Sequence, residues 1–388
     1  MKKIILIWLL AASVAFSKTL VNDGLIKLAD KEIRPGTSLD LSGKWLYQPG
    51  YSVVTNQNPQ NAAAAKNCVP VPVPQLLNKI QWWLDDSEDF KTYETNRLKK
   101  LGFDTERAED GWYYVRLDLP AIPSGKNISI EFDGVAMLSK TFCNGKLLGE
   151  HKGMFSRFEY DLTPHLKVGE NLVAVFVSME KIPPSTLSMG EAVTVNLTAS
   201  KVRSLSKGMF GPLSPNADNR AYDLHGIWQP VKLVLRGAAK INDVWFKPSL
   251  TGAEIQFEAS ALGNSQSTKL KAKLTDVKTG DVFVEMLVEK FELGAKPSSE
   301  TRTISNVKPK LWTPAEPNLY RLDVSLESDA GEILDSWTHE VGFRTFEARG
   351  NQFFLNGKPY WLRGANHLPY GKNPWDTELA RKLIRQMR

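Results

Sequence analysis

Apolar and polar residues alternate with a period of two through most of this chain. From Trp112 to Leu119, Tyr113, Val115, Leu117 and Leu119 alternate with Arg116 and Asp118. Ile128, Ile130 and Phe132 alternate in the same way with Ser129 and Glu131. Successive side chains of a strand point to opposite faces, so each run predicts a strand with one face buried. The run from Leu172 to Val177 is apolar at every position. That pattern predicts a central strand covered on both sides. A short strand at Leu41–Tyr47, a strand from Val135 to Cys143 that runs into Asn144-Gly145, and a last strand at Val231, Leu233 and Leu235 complete the set. Short strands separated by turns predict a β sandwich or jelly roll over residues 18–237.

The alternation continues in a smaller unit, residues 238–345. Ile255 and Phe257, then Leu270, Ala272 and Leu274, then Val282, Val284 and Met286, then Tyr320, Leu322, Val324 and Leu326 mark successive strands. About seven strands in roughly a hundred residues fit an immunoglobulin-like sandwich. The phrase Leu311-Trp312-Thr313-Pro314-Ala315-Glu316-Pro317-Asn318-Leu319-Tyr320 reads as an extended edge that feeds a strand, with Trp312 as its anchor.

After Phe346 the period changes. Phe353, Phe354 and Leu355, then Asn356-Gly357, then Tyr360, Trp361 and Leu362 predict a hairpin. Asn-Gly suits a type I′ turn, which needs positive φ at both central residues. A strand end follows at Arg363-Gly364-Ala365-Asn366-His367, and then a helix. Asp376 is its predicted N-cap, and Leu379, Leu383, Ile384 and Met387 are its apolar face. Strand, polar loop and helix form the first step of an α/β unit.

Composition sharpens this outline. The chain has 388 residues, 42% hydrophobic and 24% charged, which is a folded, soluble profile of two or three domains. The net charge is +6, with no basic stripe, so nucleic acid is not an expected partner. Lys2 and Lys3, the apolar run Ile4–Ala15 and the small residues Ala15 and Ser17 predict a signal peptide over residues 1–17, and so export to the periplasm or medium. The apolar run is too short to span a bilayer, and no membrane association is expected after cleavage. The two cysteines, Cys68 and Cys143, are expected to be buried thiols and not a staple.

Several motifs resemble glycoside hydrolase family 2, which contains β-galactosidases, β-glucuronidases and β-mannosidases. Gly342-Phe343-Arg344, then Phe353-Phe354-Leu355-Asn356-Gly357-Lys358-Pro359, then Leu362-Arg363-Gly364-Ala365-Asn366-His367 resemble that family's approach to its catalytic barrel. Earlier, LSGKW, GWYYVRLDLP, HGIWQPVKLVL and the block from Phe132 to Val177, with Gly149, His151, Phe158, Asp161 and Gly169-Glu170-Asn171, resemble its sugar-binding domain. The resemblance implies a jelly roll (18–237), an immunoglobulin-like sandwich (238–345) and the start of a TIM barrel (346–388). It implies a retaining β-glycosidase acting on an oligosaccharide or glycoside. The run Asn219-Arg220-Ala221-Tyr222-Asp223 departs from the β-galactosidase pattern, and the sugar stays open. The other functional class is a non-catalytic, carbohydrate-binding or adhesive exported β protein.

Candidate chemistry is sparse. The histidines are His151, His165, His225, His339 and His367, and none has zinc-ligand spacing, so neither metal nor cofactor is expected. His151 and His165 are expected at the surface, on or beside turns. Barrel active sites lie at the C-terminal ends of the strands, which makes His367 and Asn366 the candidate substrate-binding residues. The resemblance implies two catalytic glutamates, the acid following an asparagine. No Asn-Glu dipeptide occurs here, so no catalytic residue is assigned, and the chain alone is expected to be inactive. The stretch from Gln48 to Asp110 reads as an insertion carrying Trp82, Trp83, Asp85, Asp86, Glu88 and Asp89. Its tryptophans could stack on sugar rings or pack on the sandwich, and the spacing leaves both open.

Overall fold

The computed structural model describes residues 21–50, 68–74, 110–122, 124–136, 138–153, 155–178 and 226–362, together with 381, 382, 384 and 385. The predicted leader, most of 48–110, and Asn366 and His367 lie outside the described residues. Of the predicted helix, Arg381, Lys382, Ile384 and Arg385 are helical.

The first unit contains β1 (Leu25–Lys27), β2 (Thr37–Asp40), β3 (Gly43–Gly50), β4 (Val69–Val73), β5 (Asp110–Leu119), β6 (Asn127–Phe132) and β7 (Val135–Ala136). It continues with β8 (Leu138–Cys143), β9 (Lys146–Lys152), β10 (Phe158–Asp161), β11 (Gly169–Ser178), β12 (Gly226–Ile227) and β13 (Val231–Arg236). One sheet runs β4-β3-β5-β11-β8-β9, with β1 added parallel to β5; a second runs β10-β6-β13-β2. The predicted inward residues Tyr113, Val115, Leu117, Leu119, Ile128, Ile130 and Phe132 fill the space between them, with Trp45 at their centre. The Trp45 indole N–H donates to the Leu41 carbonyl at 2.9 Å, so this large buried ring leaves no polar atom unpaired.

β11 lies between β5 and β8, as its unbroken apolar run predicts. Val173, Val175 and Val177 face the core, while Ala174 joins Trp112 and Tyr114 in a second buried cluster on the other face of the sheet. The separation explains the cysteines. Cys143 sits in the core and Cys68 packs against the opposite cluster, and no disulfide joins them.

The insertion is shorter than its sequence suggests. Gln48–Gly50 still belong to β3, and Val69–Val73 form β4 along the sheet edge. Val71 and Val73 are buried, while Pro70 and Pro72 alternate with them. An edge strand can carry prolines because half of its backbone needs no ladder donor.

The second unit holds seven strands: β14 (Ala239–Pro248), β15 (Ala253–Ala261), β16 (Gln266–Asp276), β17 (Val282–Leu293), β18 (Ser298–Ile304), β19 (Tyr320–Glu327) and β20 (Ile333–Val341). Sheet β14-β15-β18 packs on sheet β17-β16-β19-β20. Ile255, Phe257, Leu270, Leu274, Leu322, Val324 and Leu326 are buried between them, as their alternation predicts. Val282 is the exception, 54% exposed, because β17 is an edge strand and its register shifts there.

Three short strands follow: β21 (Phe346–Arg349), β22 (Gln352–Leu355) and β23 (Lys358–Tyr360). Leu355 pairs with Lys358 across Asn356-Gly357, whose φ values are 51° and 75°. Asn144-Gly145 closes β8 to β9 with φ of 47° and 81°. Both turns show the positive φ pair that a type I′ hairpin requires.

Candidate functional site

The residues that lead toward Asn366 and His367 are held by two of the motifs read in the sequence. Asn356 is more than a turn residue. Its carboxamide oxygen accepts the Thr345 N–H at 3.0 Å, and its NH2 donates to the Trp312 carbonyl at 3.0 Å. Its own backbone N–H donates to the Thr345 carbonyl at 2.9 Å. The hairpin turn is thereby tied to the Pro-containing edge of the second sandwich.

Gly342, Phe343 and Arg344 complete this clamp. Phe343 is fully buried, with its ring edge-on to Phe246, Phe283 and Tyr320 at 5.1–5.7 Å. Its carbonyl accepts the Trp312 N–H at 2.8 Å. The Arg344 guanidinium lies over the Trp312 ring at 4.7 Å. Gly342 leaves the room this requires, since a Cβ there would come within 3.1 Å of Trp312 Cβ. Beyond the clamp two large apolar side chains are exposed, Trp361 at 82% and Leu362 at 53%. Sequence reasoning found each motif but not their contact, because Asn356 and Trp312 are 44 residues apart in the chain.

A second group lies on the first unit. His151, expected at the surface, is half-buried: its ring stacks on Phe158 at 4.0 Å, and Nε2 lies 3.1 Å from Ser156 Oγ. Burial holds its pKa below the usual histidine value. Phe155, 62% exposed, meets Trp228 edge to face at 5.6 Å. Beside them, Asp133 pairs with Arg157 at 2.8 Å and with Lys232 at 2.9 Å, and Glu131 shares both cations at longer range. Aromatic edges beside hydroxyl, imidazole and paired carboxylates can contact sugar C–H faces and hydroxyls. These carboxylates are tied by cations and are poor candidates for proton transfer. His165 ends a short 3-10 helix, and its carbonyl accepts a hydrogen bond from Asn144 Nδ2 at 2.7 Å.

Burial raises the pKa of Asp335 to about 6, against the pull of Arg236 and of two backbone N–H groups. A carboxyl titrating there has the pKa of a general acid. Its side chain is only 6% exposed and lies between the two sandwiches, out of reach of a sugar. Among the described residues no three metal-ligating side chains come together, and no helix is long and apolar enough to cross a membrane.

Comparison with known proteins places this geometry. Residues 98–235 match the model of the glycosyl hydrolases family 2 sugar binding domain, and residues 239–344 match that of glycosyl hydrolases family 2. A β-galactosidase of Thermoanaerobacter pseudethanolicus is 30% identical over 287 residues, which are 70% of this chain and 34% of that protein. A β-glucuronidase of Paenibacillus borealis is 23% identical over 352 residues, 89% of this chain and 51% of that protein. The chain thus spans between a third and a half of these relatives. Among solved structures, a Bacteroides uniformis β-glucuronidase superposes with a TM-score of 0.65 at 20% identity, covering 90% of this chain and 38% of the other. A Bifidobacterium dentium β-glucuronidase gives 0.64 at 22% identity, covering 94% and 57%. At these identities the structures speak for the fold.

Proposed function

Given that this chain belongs to glycosyl hydrolases family 2, we propose that it is the N-terminal part of an exported, retaining β-glycosidase. One observation carries the reading. The clamp of Trp312, Phe343, Arg344 and Asn356 fixes the hairpin to the second sandwich and presents Trp361 and Leu362 outward. Such a mount serves a structure that continues beyond the hairpin, and a freestanding binding module has no use for it.

Retaining hydrolysis needs one carboxyl to protonate the leaving oxygen and a second, roughly 5–5.5 Å away, to attack the anomeric carbon. The described carboxylates belong to the sandwiches and the hairpin, several of them committed to ion pairs, so we assign both roles to residues outside the described ones. In this reading the first unit presents aromatic and polar groups to the glycoside, the second sets its angle to the barrel, and Asn366 and His367 bond sugar hydroxyls from the end of the first barrel strand.

The test is kinetic. In the active full-length enzyme, His367→Ala should lower kcat/KM by ~10²-fold with the melting temperature unchanged, since a hydrogen bond strengthened in the transition state is worth a few kcal/mol. Unchanged kinetics would reduce His367 to scaffold. The chain of 388 residues, assayed with nitrophenyl β-galactoside and β-glucuronide, should show no turnover. Turnover abolished by mutating a carboxylate within it would favour a self-contained enzyme. For export, the N-terminus of secreted protein should be Lys18; a cytoplasmic protein that keeps Met1 would refute it.

A further inference from the structure

The contact between the two sandwiches is built on four charges. Arg236, at the end of β13 and 5% exposed, places its Nη1 2.5 Å from Glu159 Oε1 and its Nε 3.2 Å from Asp335 Oδ2. Lys240, on β14, reaches the other oxygen of Glu159 at 2.7 Å. Each unit thus offers a cation to a carboxylate of the other: Arg236 of the first to Asp335 of the second, Lys240 of the second to Glu159 of the first. Around them the Ile241 N–H donates to Asp335 Oδ2 at 2.8 Å and the Ser336 N–H to Oδ1 at 2.9 Å. Backbone contacts close the edges, from the Gly237 N–H to the Leu334 carbonyl and from the Ser336 hydroxyl to the Gly36 carbonyl.

The sharing is unequal. Glu159 holds two cations at short range and keeps some exposure, whereas Asp335 has one longer guanidinium contact and almost none. Asp335 is therefore the carboxylate whose charge is least well compensated when the units are closed. We propose that this cluster is a proton-operated latch between the two β domains, one that holds more tightly in acid than in neutral medium.

The sign follows from linkage. Closure raises the Asp335 carboxyl to about 6, from about 3.9 when exposed, so the closed state binds the proton better. Its contribution to closure is complete below ~4 and is lost as pH rises through ~6, a change of up to ~100-fold in the closed-to-open ratio. Glu159 has the opposite sign. Burial alone would raise its pKa, but Arg236 and Lys240 bring it below the usual value. Its contribution is present above its exposed pKa of ~4.3 and is lost as pH falls through the depressed value. The two limbs meet near pH ~4, where the latch is tightest.

Hydrogen exchange on the 388-residue chain between pH 3 and 8 reads this directly, at the Ile241 and Gly237 amides and after correction for intrinsic rates. Protection should peak near pH ~4, fall by ten- to ~100-fold toward pH 6, and then level off. Asp335→Asn should abolish the fall between 4 and 6, and Glu159→Gln should abolish the fall below 4. If the Asn variant does not fold, the carboxyl carbon of Asp335, followed by NMR in selectively labelled wild-type protein, should titrate near 6. Protection that rises with pH through 6, an Asn variant with the wild-type profile, or a carboxyl titrating at or below 4 would overturn the latch.

Discussion

The joint between the sandwiches and the joint between the second sandwich and the hairpin solve one problem with opposite chemistry. The first is ionic: Arg236 and Lys240 against Glu159 and Asp335, largely shielded from water. The second uses neutral groups, with carboxamide and backbone hydrogen bonds at Asn356 and Trp312 and a four-ring packing around Phe343, and the Arg344 guanidinium lies over the Trp312 ring. Buried charges tie orientation to the medium, because each must be matched or protonated. Amides and rings do not titrate. On the proposed latch, the chain responds to pH at one joint while the hairpin stays fixed at the other.

The largest expected effect is at the ionic joint. Arg236→Met leaves Asp335 without a cation and Glu159 with Lys240 alone, and removing one partner of a buried pair costs about 3–5 kcal/mol. Denaturant unfolding should show that loss; a change below about 1 kcal/mol would mean that packing, not charge, holds the units together. Phe343→Ala should cost a similar or slightly smaller amount, roughly 3 kcal/mol or more, through the cavity left among Phe246, Phe283 and Tyr320. Its penalty should be equal at pH 5 and pH 8, and a pH-dependent penalty would erase the contrast between the joints. Next comes Asn356→Gly, which keeps the turn but removes both carboxamide bonds, for about 1–2 kcal/mol. Exchange at the Thr345 amide should quicken about tenfold while Ile241 is unaffected; equal acceleration at both would show that the joints are coupled. The smallest effect belongs to the exposed pair Lys247–Glu254, 2.7 Å apart. Lys247→Ala should change stability by less than about 1 kcal/mol and leave both joints as they were.

What the sequence made legible was local. A period of two marks a strand and its buried face wherever one face meets a core, so Tyr113 to Leu119 and Tyr320 to Leu326 were placed correctly from pattern alone. Asn144-Gly145 and Asn356-Gly357 announced their turns, because few other residue pairs tolerate that backbone. The joints were not legible. Arg236 meets partners 77 residues before it and 99 after it, and no local pattern encodes such a pairing. Strand β4 was hidden by its prolines, which mark a loop unless the strand lies at an edge. Trp112 and Tyr114 stood at positions that alternation assigns to solvent, yet they are buried in a cluster of their own. Asn366 and His367 rest on position in a motif.

Cys143 has a use that its silence in the fold conceals. Its thiol is fully enclosed by the first core, and burial pushes its pKa up to about 12, so it is neither reachable nor ionised while the sandwich is closed. It has no partner on its own side of the sheet, because Cys68 lies across it. Assembly therefore does not wait for an oxidant and is not undone by a reductant. Alkylation of Cys143 counts only the moments when the first sandwich opens, which makes this side chain a clock for the global breathing of that unit, already installed and needing no engineered probe.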